Sequence, residues 1–218
     1  MPIAHDITLE ESTHTYRDAE GVIYTSVSTI ISKFKEPFDA KAVAEKTSLK
    51  TGKSVEEILA EWATAAPYGT ALHLEMEDFF TEGREGQLIQ PYLPTLRRWR
   101  SSSVAFHPET IVCLRNLRIA GTADLLVESA DGWSIVDWKT NKAIYQTAFK
   151  GKRMSPPLSH LEDCNYNHYS LQLSFYAKML GLPIKKLSLV HLPRDKGTIE
   201  VIPCRDLRRE VDSILEIL

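Results

Sequence analysis

The chain is poor in cysteine, and what it has is scattered. Three cysteines stand among 218 residues, at Cys113, Cys164 and Cys204. They are far apart and include no CxxC pair, and this spacing argues against a disulfide framework and a zinc ribbon. We expect three reduced thiols in a reducing compartment.

Long apolar runs and a surplus of positive charge are also missing. No segment approaches the 18 or so apolar residues of a membrane span, and residues 1–11 lack the features of a targeting peptide. We therefore expect no membrane association and a cytoplasmic protein, in a bacterial cell or a phage-infected host. The net charge is −3, from 26 basic and 29 acidic residues, so charge balance alone does not indicate nucleic-acid binding.

The first half of the chain has mostly helical periodicity. A hairpin with Gly21 in its turn comes first, and a Ser26 or Ser28 cap follows it. Ser54-Val-Glu-Glu57 matches a capping box, and Pro67 should break or kink the helical stretch that follows. The predicted hairpin strands are 14–17 and 22–25, and the predicted helices are 27–35, 39–48, 54–65, 69–81 and 87–102.

The hydrophobic period then changes to two, which is typical of strands. We expect three antiparallel strands, a long polar connection over 141–168, and an amphipathic helix closed by Gly181. The predicted strands are 110–115, 118–128, 133–140, 187–192 and 198–202, and the predicted later helices are 169–180 and 206–218.

The candidate catalytic residues lie on two neighbouring strands, 118–128 and 133–140. Strand alternation puts Asp137 and Lys139 on one face of a largely apolar strand, and charges buried in that way must be paired or bind a metal. The preceding strand carries Asp124, and an antiparallel pair of strands places two carboxylates near one cation. Two carboxylates and a lysine suit metal-assisted attack on a phosphodiester. Taken alone, the Asp–Lys pair is better explained by an ordinary salt bridge on a half-exposed strand, because Asp-x-Lys triplets are very common.

The predicted helices before and after these strands carry further candidate residues, spaced so that they share one face of each helix. Gly69, His73 and Glu77 share a face before the strands, where the glycine allows close backbone approach and the histidine offers a metal ligand. In the helix after the strands, a glutamine and two tyrosines again share a face. The glutamine amide can bond a phosphate oxygen or a base edge, and the tyrosines can stack on bases. These three are Tyr169, Gln172 and Tyr176.

Together these motifs resemble those of the PD-(D/E)xK nuclease superfamily, and more narrowly its RecB-like exonuclease branch. The resemblance covers roughly residues 65–195. Residues 24–31 are similar, more weakly, to the opening segment of phage and mitochondrial single-domain exonucleases. The motifs that carry the resemblance are Gly69-x-x-x-His73, Gly121-x-x-Asp124, Asp137-x-Lys139 and Gln172-x-x-x-Tyr176.

The resemblance implies an α/β fold, with a restriction-endonuclease-like core whose central mixed sheet is flanked by helices. It implies Mg²⁺ or Mn²⁺ held by His73, Asp124, Asp137 and the backbone carbonyl of Trp138, with Lys139 as the catalytic lysine. Other residues have implied roles that are less defined. Gln172 and Tyr176 would face the substrate, Glu109 would be an extra acidic residue just before the first strand, and Glu77 a partner of His73 or a second-metal ligand.

Some iron–sulfur relatives use four cysteines, which this chain does not have, so we expect no cluster. No GxxxxGK[ST] loop is present, so no ATPase is expected. We divide the chain into a hairpin and basic helical segment, 1–53, and a nuclease core, 54–218.

We expect a metal-dependent DNA exonuclease that prefers single strands or frayed ends. Basic residues between Lys33 and Lys53, together with Lys150, Lys152 and Arg153, would line the strand path or arch over it. Possible partners are replication or recombination proteins. A structure-specific endonuclease, a DNA-binding protein without catalysis, and a metal enzyme acting on a non-nucleic substrate remain alternatives.

Overall fold

A computed structural model describes residues 4, 6–10, 13–194 and 196–218. They form eight strands, seven α-helices and three short 3₁₀ turns. The strands are β1 (Ile7–Glu10), β2 (Thr15–Asp18), β3 (Ile23–Ser26), β4 (Ala105–Leu114), β5 (Ile119–Ser129), β6 (Gly132–Lys139), β7 (Ile184–His191) and β8 (Glu200–Pro203). The helices are α1 (Val27–Ser32), α2 (Ala40–Thr51), α3 (Val55–Ala63), α4 (Ala65–Glu82), α5 (Leu93–Arg100), α6 (Asn165–Leu180) and α7 (Arg208–Leu215).

All eight strands belong to one mixed sheet centred on β5. The order is β1-β2-β3-β5-β6-β7-β8, and β4 pairs with β5 off this path. Because β4 runs along β5 over residues 119–128, β3 and β6 must share the other edge. The parallel strand β3 takes the start of that edge, at Ile119 and Ala120, and the antiparallel strand β6 takes the end, from Leu125 onward. Residues 121–124 therefore lie in a fork between β3 and β6.

Apolar residues fill both faces of this sheet. Ile135 of β6 packs in a core with residues of α1, α6 and α7, while Trp138 of the same strand packs on the opposite face with residues of α4 and α5. The predicted alternation along β6 is therefore confirmed, and with it the α/β class with a central mixed sheet flanked by helices. Within the described ranges, no helix is long and apolar enough to cross a membrane.

The structure confirms two of the predicted helix ends. Ser54 and Glu57 form the predicted capping box, and Gly181 ends α6 in the left-handed conformation with φ of +59°. The break attributed to Pro67 falls earlier, at Thr64, which separates α3 from α4. Pro67 sits in the first turn of α4, where a missing backbone N–H costs no hydrogen bond.

The N-terminal hairpin is confirmed, but β1 was missed. Strand β1 adds a third strand to the predicted pair, and the backbone N–H of Ala4 donates to the carbonyl of Ile111 at 3.1 Å. Tyr16 and Tyr24 are buried in a small core under these strands. The proposed division at residue 53 stays a prediction; β1–β3, from its first part, are hydrogen-bonded into the same sheet as β5.

Two elements near the site were predicted too short, because their first residues were missed. Strand β4 begins at Ala105 rather than residue 110, and α6 begins at Asn165 rather than residue 169. Pro108 inside β4 hid its first half, because proline is unfavourable in a paired strand. The polar residues 165–168 hid the first turn of α6, although Asn167 is buried there and its amide donates to the carbonyl of Glu162.

Candidate nuclease active site

Two carboxylates meet at the fork between β3 and β6. Asp124 lies on β5 and Asp137 on β6, beyond the last pair of their ladder, Leu125 with Val136. A carboxylate oxygen of Asp124 accepts the backbone N–H of Trp138 at 2.8 Å. Only 8% of Asp124 is exposed, and Asp137 is fully buried. The fork thus holds two acidic groups with little access to bulk water.

Lys139 supplies the positive charge beside Asp137. Its Nζ lies 2.5 Å from Asp137 Oδ2 and 4.7 Å from the ring centre of Tyr169, whose hydroxyl donates to Asn141 Oδ1 at 2.9 Å. A cation over an aromatic face is electrostatically favourable. The lysine is therefore held between a carboxylate and an aromatic ring.

Burial and charge shift the acid–base properties of this pair. Burial raises the pKa of Asp137 to about 6, against the lowering effect of Lys139 and with a further upward effect of Asp124. For Lys139, burial acts to lower the pKa, but the carboxylates of Asp137 and Asp124 outweigh it and raise that pKa. The lysine is therefore cationic throughout the neutral range.

A third acidic residue and a histidine face Asp124. His73 of α4 places Nδ1 3.5 Å from Asp124 Oδ2 and Nε2 3.2 Å from the carbonyl oxygen of Trp138. Glu109 lies across from Asp124, between the ladder pairs that flank it on β4 and β5. Ligand atoms of His73, Glu109 and Asp124 lie within 4.8 Å of one another, which makes a candidate metal site.

Glu109 departs from its predicted position. It was expected just before the first strand, but it is inside β4, with a φ of +43°. A positive φ is uncommon for a residue other than glycine, and such strain concentrates at functional sites. Asp137 is not part of the three-residue group; its oxygens contact Lys139 and Gln172 instead.

Helix α6 braces the site from the opposite face. Gln172 Nε2 donates to Asp137 Oδ1 at 3.3 Å and to the Tyr176 hydroxyl at 2.9 Å. A Cβ on Gly121 would stand 2.5 Å from Cε1 of Tyr176, so the tyrosine ring occupies the space that only glycine leaves. Burial raises the pKa of Tyr176 well above its ordinary range. In this structure Gln172 and Tyr176 support Asp137; their contact with substrate stays a prediction.

These groups open into a cleft of about 740 Å³. Ser26, which caps α1 by accepting the N–H of Thr29, lines it together with Ser28. Glu77, one turn from His73 on α4, lines it too. Sequence-predicted residues of both flanking helices and both central strands thus line one cleft, while Tyr169 is outside the set that lines it.

The predicted basic residues lie elsewhere. Lys152 forms an ion pair with Glu36, and Arg153 donates to the carbonyl of His160 at 2.9 Å. Lys150 lies 5.5 Å from the ring centre of Phe149. None of these three is among the described residues that line the cleft. Their role in binding a strand stays a prediction.

Sequence reasoning missed several residues around the centre. Asn141 orients Tyr169 through its amide, and its carbonyl lies 2.7 Å from Nε2 of the buried His191. The hairpin residues Leu9 and His14 reach the cleft wall. The position of Asn141, two residues after Lys139, was a usable signal; the approach of β1 and β2 to the cleft had no local signature.

Comparison with known proteins decides the family. A sequence profile of the PD-(D/E)XK nuclease superfamily matches residues 31–191, most of the chain and all four motifs. The chain belongs to the PD-(D/E)XK nuclease superfamily. It is therefore a nuclease by family, with DNA as the substrate class and divalent metal ions as the cofactor class of that superfamily.

Comparisons with individual proteins add less. A solved structure titled "Crystal structure of SSO0001" is 14% identical, with a TM-score of 0.41, over 89% of this chain and 77% of the other. No curated protein matches the chain.

Proposed function

We propose that this PD-(D/E)XK protein is a metal-dependent DNA exonuclease of the RecB-like kind, acting on single strands or frayed ends. The observation that carries the proposal is the ion pair of the buried Asp137 with the partly buried Lys139, in the same fork of the sheet as Asp124 and His73. Paired and buried charges of this kind at a family's motif positions suit phosphodiester hydrolysis.

The donor set fits a hard divalent cation. His73, Glu109 and Asp124 present an imidazole nitrogen and carboxylate oxygens within 4.8 Å of one another. The carboxylate oxygens are ligands that suit Mg²⁺ or Mn²⁺, and the imidazole nitrogen adds one softer ligand. The Trp138 carbonyl, 3.2 Å from His73 Nε2, and Asp137, which precedes Trp138 on β6, would complete the set. A cation there would supply Lewis-acid polarisation of the phosphate and a lower pKa of water.

The chain's own groups provide the remaining functions. The ammonium of Lys139 offsets the negative charge that develops on the phosphate oxygens during attack. Tyr169 limits the positions that this ammonium can take, and Gln172 fixes the Asp137 carboxylate through one oxygen. Burial of the centre strengthens each of these electrostatic interactions.

A path for the strand is the second part of the proposal. The basic segment around Lys150–Arg153 is joined to the segment after α1 by the Lys152–Glu36 ion pair and by a bond from the N–H of Ser155 to the carbonyl of Phe34 at 2.8 Å. We propose that the two joined basic segments form an arch over the DNA strand and that a free DNA end threads under this arch. Threading favours exonucleolytic over endonucleolytic cutting, and replication or recombination proteins would provide the ends.

Digestion of end-labelled single strands tests this proposal. We expect products with Mg²⁺ or Mn²⁺, none with EDTA, and much slower attack on circular single-stranded DNA than on the linear form. Circular DNA cut as rapidly as linear DNA would favour a structure-specific endonuclease. Binding without any cleavage would favour a non-catalytic protein, and the absence of binding at low salt would favour a non-nucleic substrate.

A further inference from the structure

The wall of the cleft beyond the acidic groups has a different chemistry. Leu9 of β1, His14 before β2 and Ile111 of β4 line the same cleft as Asp124 and Lys139. On α4, Leu74 directly follows His73, lines the cleft and is 59% exposed. Apolar side chains left open in a concave site indicate a ligand surface more often than chance.

The hairpin part of this wall is anchored to the catalytic strand. The Tyr16 hydroxyl lies 2.9 Å from Thr122 Oγ1, and Thr122 stands two residues before Asp124 on β5. Residues two apart share a face about 7 Å apart, so this contact fixes the wall close to the carboxylate. The ring of His14 meets the Tyr16 ring edge-on, with centres 5.8 Å apart.

His14 is held in an uncommon conformation for its position. Its φ is +50°, and its side chain is exposed although it lines the cleft. Tyr16 behind it is only 2% exposed, so the imidazole rests on a rigid support. An exposed flat ring on a fixed base is the geometry that stacks on a nucleobase.

We propose that Leu74 and His14 form a subsite for the unstacked base of the nucleotide next to the scissile phosphate. This inference rests on the proposed nuclease function and deepens it. A nucleotide joins a phosphate, which suits Lys139 and a cation, to a flat apolar ring, which suits the neighbouring wall. A base in a duplex is covered by its neighbours, so such a subsite selects single-stranded or frayed DNA.

Oligonucleotides with one abasic position test the subsite. The missing base is placed next to a labelled scissile bond, and kcat/KM is compared with that of the intact strand. We expect wild type to cut the abasic strand on the order of tenfold more slowly, as loss of one stacked base predicts. His14→Asn, which tolerates a positive φ, combined with Leu74→Ala should cut both strands at the slower rate.

Ile23→Ala is the matched control, because Ile23 is an apolar hairpin residue, 55% exposed, that is outside the set lining the cleft. It should keep the wild-type preference for the intact strand. Equal rates of wild type on intact and abasic strands would overturn the subsite while leaving the nuclease function in place.

Binding gives a second readout that does not require cleavage. Fluorescence anisotropy with the Lys139→Ala protein compares its affinity for the intact and the abasic strand. We expect tighter binding of the intact strand, and no such difference once His14→Asn and Leu74→Ala are added. If wild type cuts no DNA with Mg²⁺ or Mn²⁺, the proposed nuclease function fails, and equal affinities in this assay overturn the subsite separately.

Discussion

The fork of the sheet and the basic loop near residue 150 carry charge in opposite ways. In the fork, Asp137 is fully buried and each of its oxygens has a defined neighbour, Lys139 or Gln172. In the loop, Lys152 and Arg153 are exposed and contact Glu36 and a backbone carbonyl. Buried charges are costly unless they are precisely paired, whereas exposed ion pairs contribute about 1 kcal/mol or less. Charge is therefore buried and closely paired in the fork, where we place the chemistry, and exposed in the loop, where we propose that the strand binds.

The largest expected effect comes from Lys139→Ala in the fork. Removing the ammonium that offsets charge on the phosphate should lower kcat at least about a hundredfold. Single-strand affinity should change little by comparison, since the basic loop is intact. Steady-state cleavage of a labelled strand measures the first and anisotropy the second. Lys178→Ala, an exposed lysine paired with Asp212 on α6 and α7, is the control and should cut normally. A Lys139→Ala protein with normal kcat would contradict the proposed division between catalysis in the fork and strand binding in the loop.

Gly121→Ala should show how rigid the fork is. The new Cβ would stand 2.5 Å from Tyr176 Cε1, so the ring must move and disturb the Gln172 amide that holds Asp137. We expect a loss of about 1–3 kcal/mol in the free energy of unfolding, with lower activity. Urea denaturation measures the first effect. Gly69→Ala is the matched control, because its Cβ would meet only the Thr140 side chain, at 3.3 Å. Equal costs at both glycines would contradict a rigid fork.

Removing the basic loop charges should have an effect of a different kind. Lys150, Lys152 and Arg153 changed together to alanine should raise KM several-fold and leave kcat near wild type. If each contacts a phosphate, the slope of log affinity against log salt should fall by about 2 for a single strand. Lys185→Ala with Lys186→Ala, on β7 outside the cleft lining, is the control. If the slope of log affinity against log salt concentration is unchanged, the loop does not contact the DNA strand.

A separate effect, on stability rather than on cleavage, is expected from pH in the metal-free protein. Asp137 has a folded-state pKa of about 6, above its ordinary value of 3.8, so the folded chain binds this proton more tightly than the unfolded chain. Its contribution to stability is complete below about pH 4 and is lost as the pH rises through 6. Relative to Asp137→Asn, wild type should lose on the order of 2 kcal/mol between pH 4 and 8. Thermal unfolding in EDTA at several pH values measures this, and a pH-independent difference would contradict the burial argument.

The strand part of the centre was predictable because a period of two fixes which side chains share a face. Asp137 and Lys139 follow from that rule, and their separation from Trp138 on the other face agrees with the structure. Helical spacing indicated His73, and family resemblance assigned it to the same metal as Asp124; their contact joins residues 51 positions apart. Neither spacing nor resemblance indicated that Gln172 would hold Asp137.

The remaining differences have a common physical cause. Pro108 obscured the start of β4, and so Glu109 was placed outside the strand that brings it to Asp124. β1 pairs with β2, and the Tyr16 hydroxyl of β2 contacts Thr122 of β5, a residue 106 positions away along the chain. Local patterns do not record such contacts, because they are set by the tertiary fold.

Cleavage of a 5′-labelled single strand by wild type and Asp137→Ala, in parallel, tests the central claim most directly. Each protein is assayed with Mg²⁺ and with EDTA, after unfolding curves show that both are folded. We predict products from wild type with Mg²⁺ only, and none from the variant under either condition. A variant that degrades the strand at the wild-type rate would contradict the assignment of the fork as the catalytic centre.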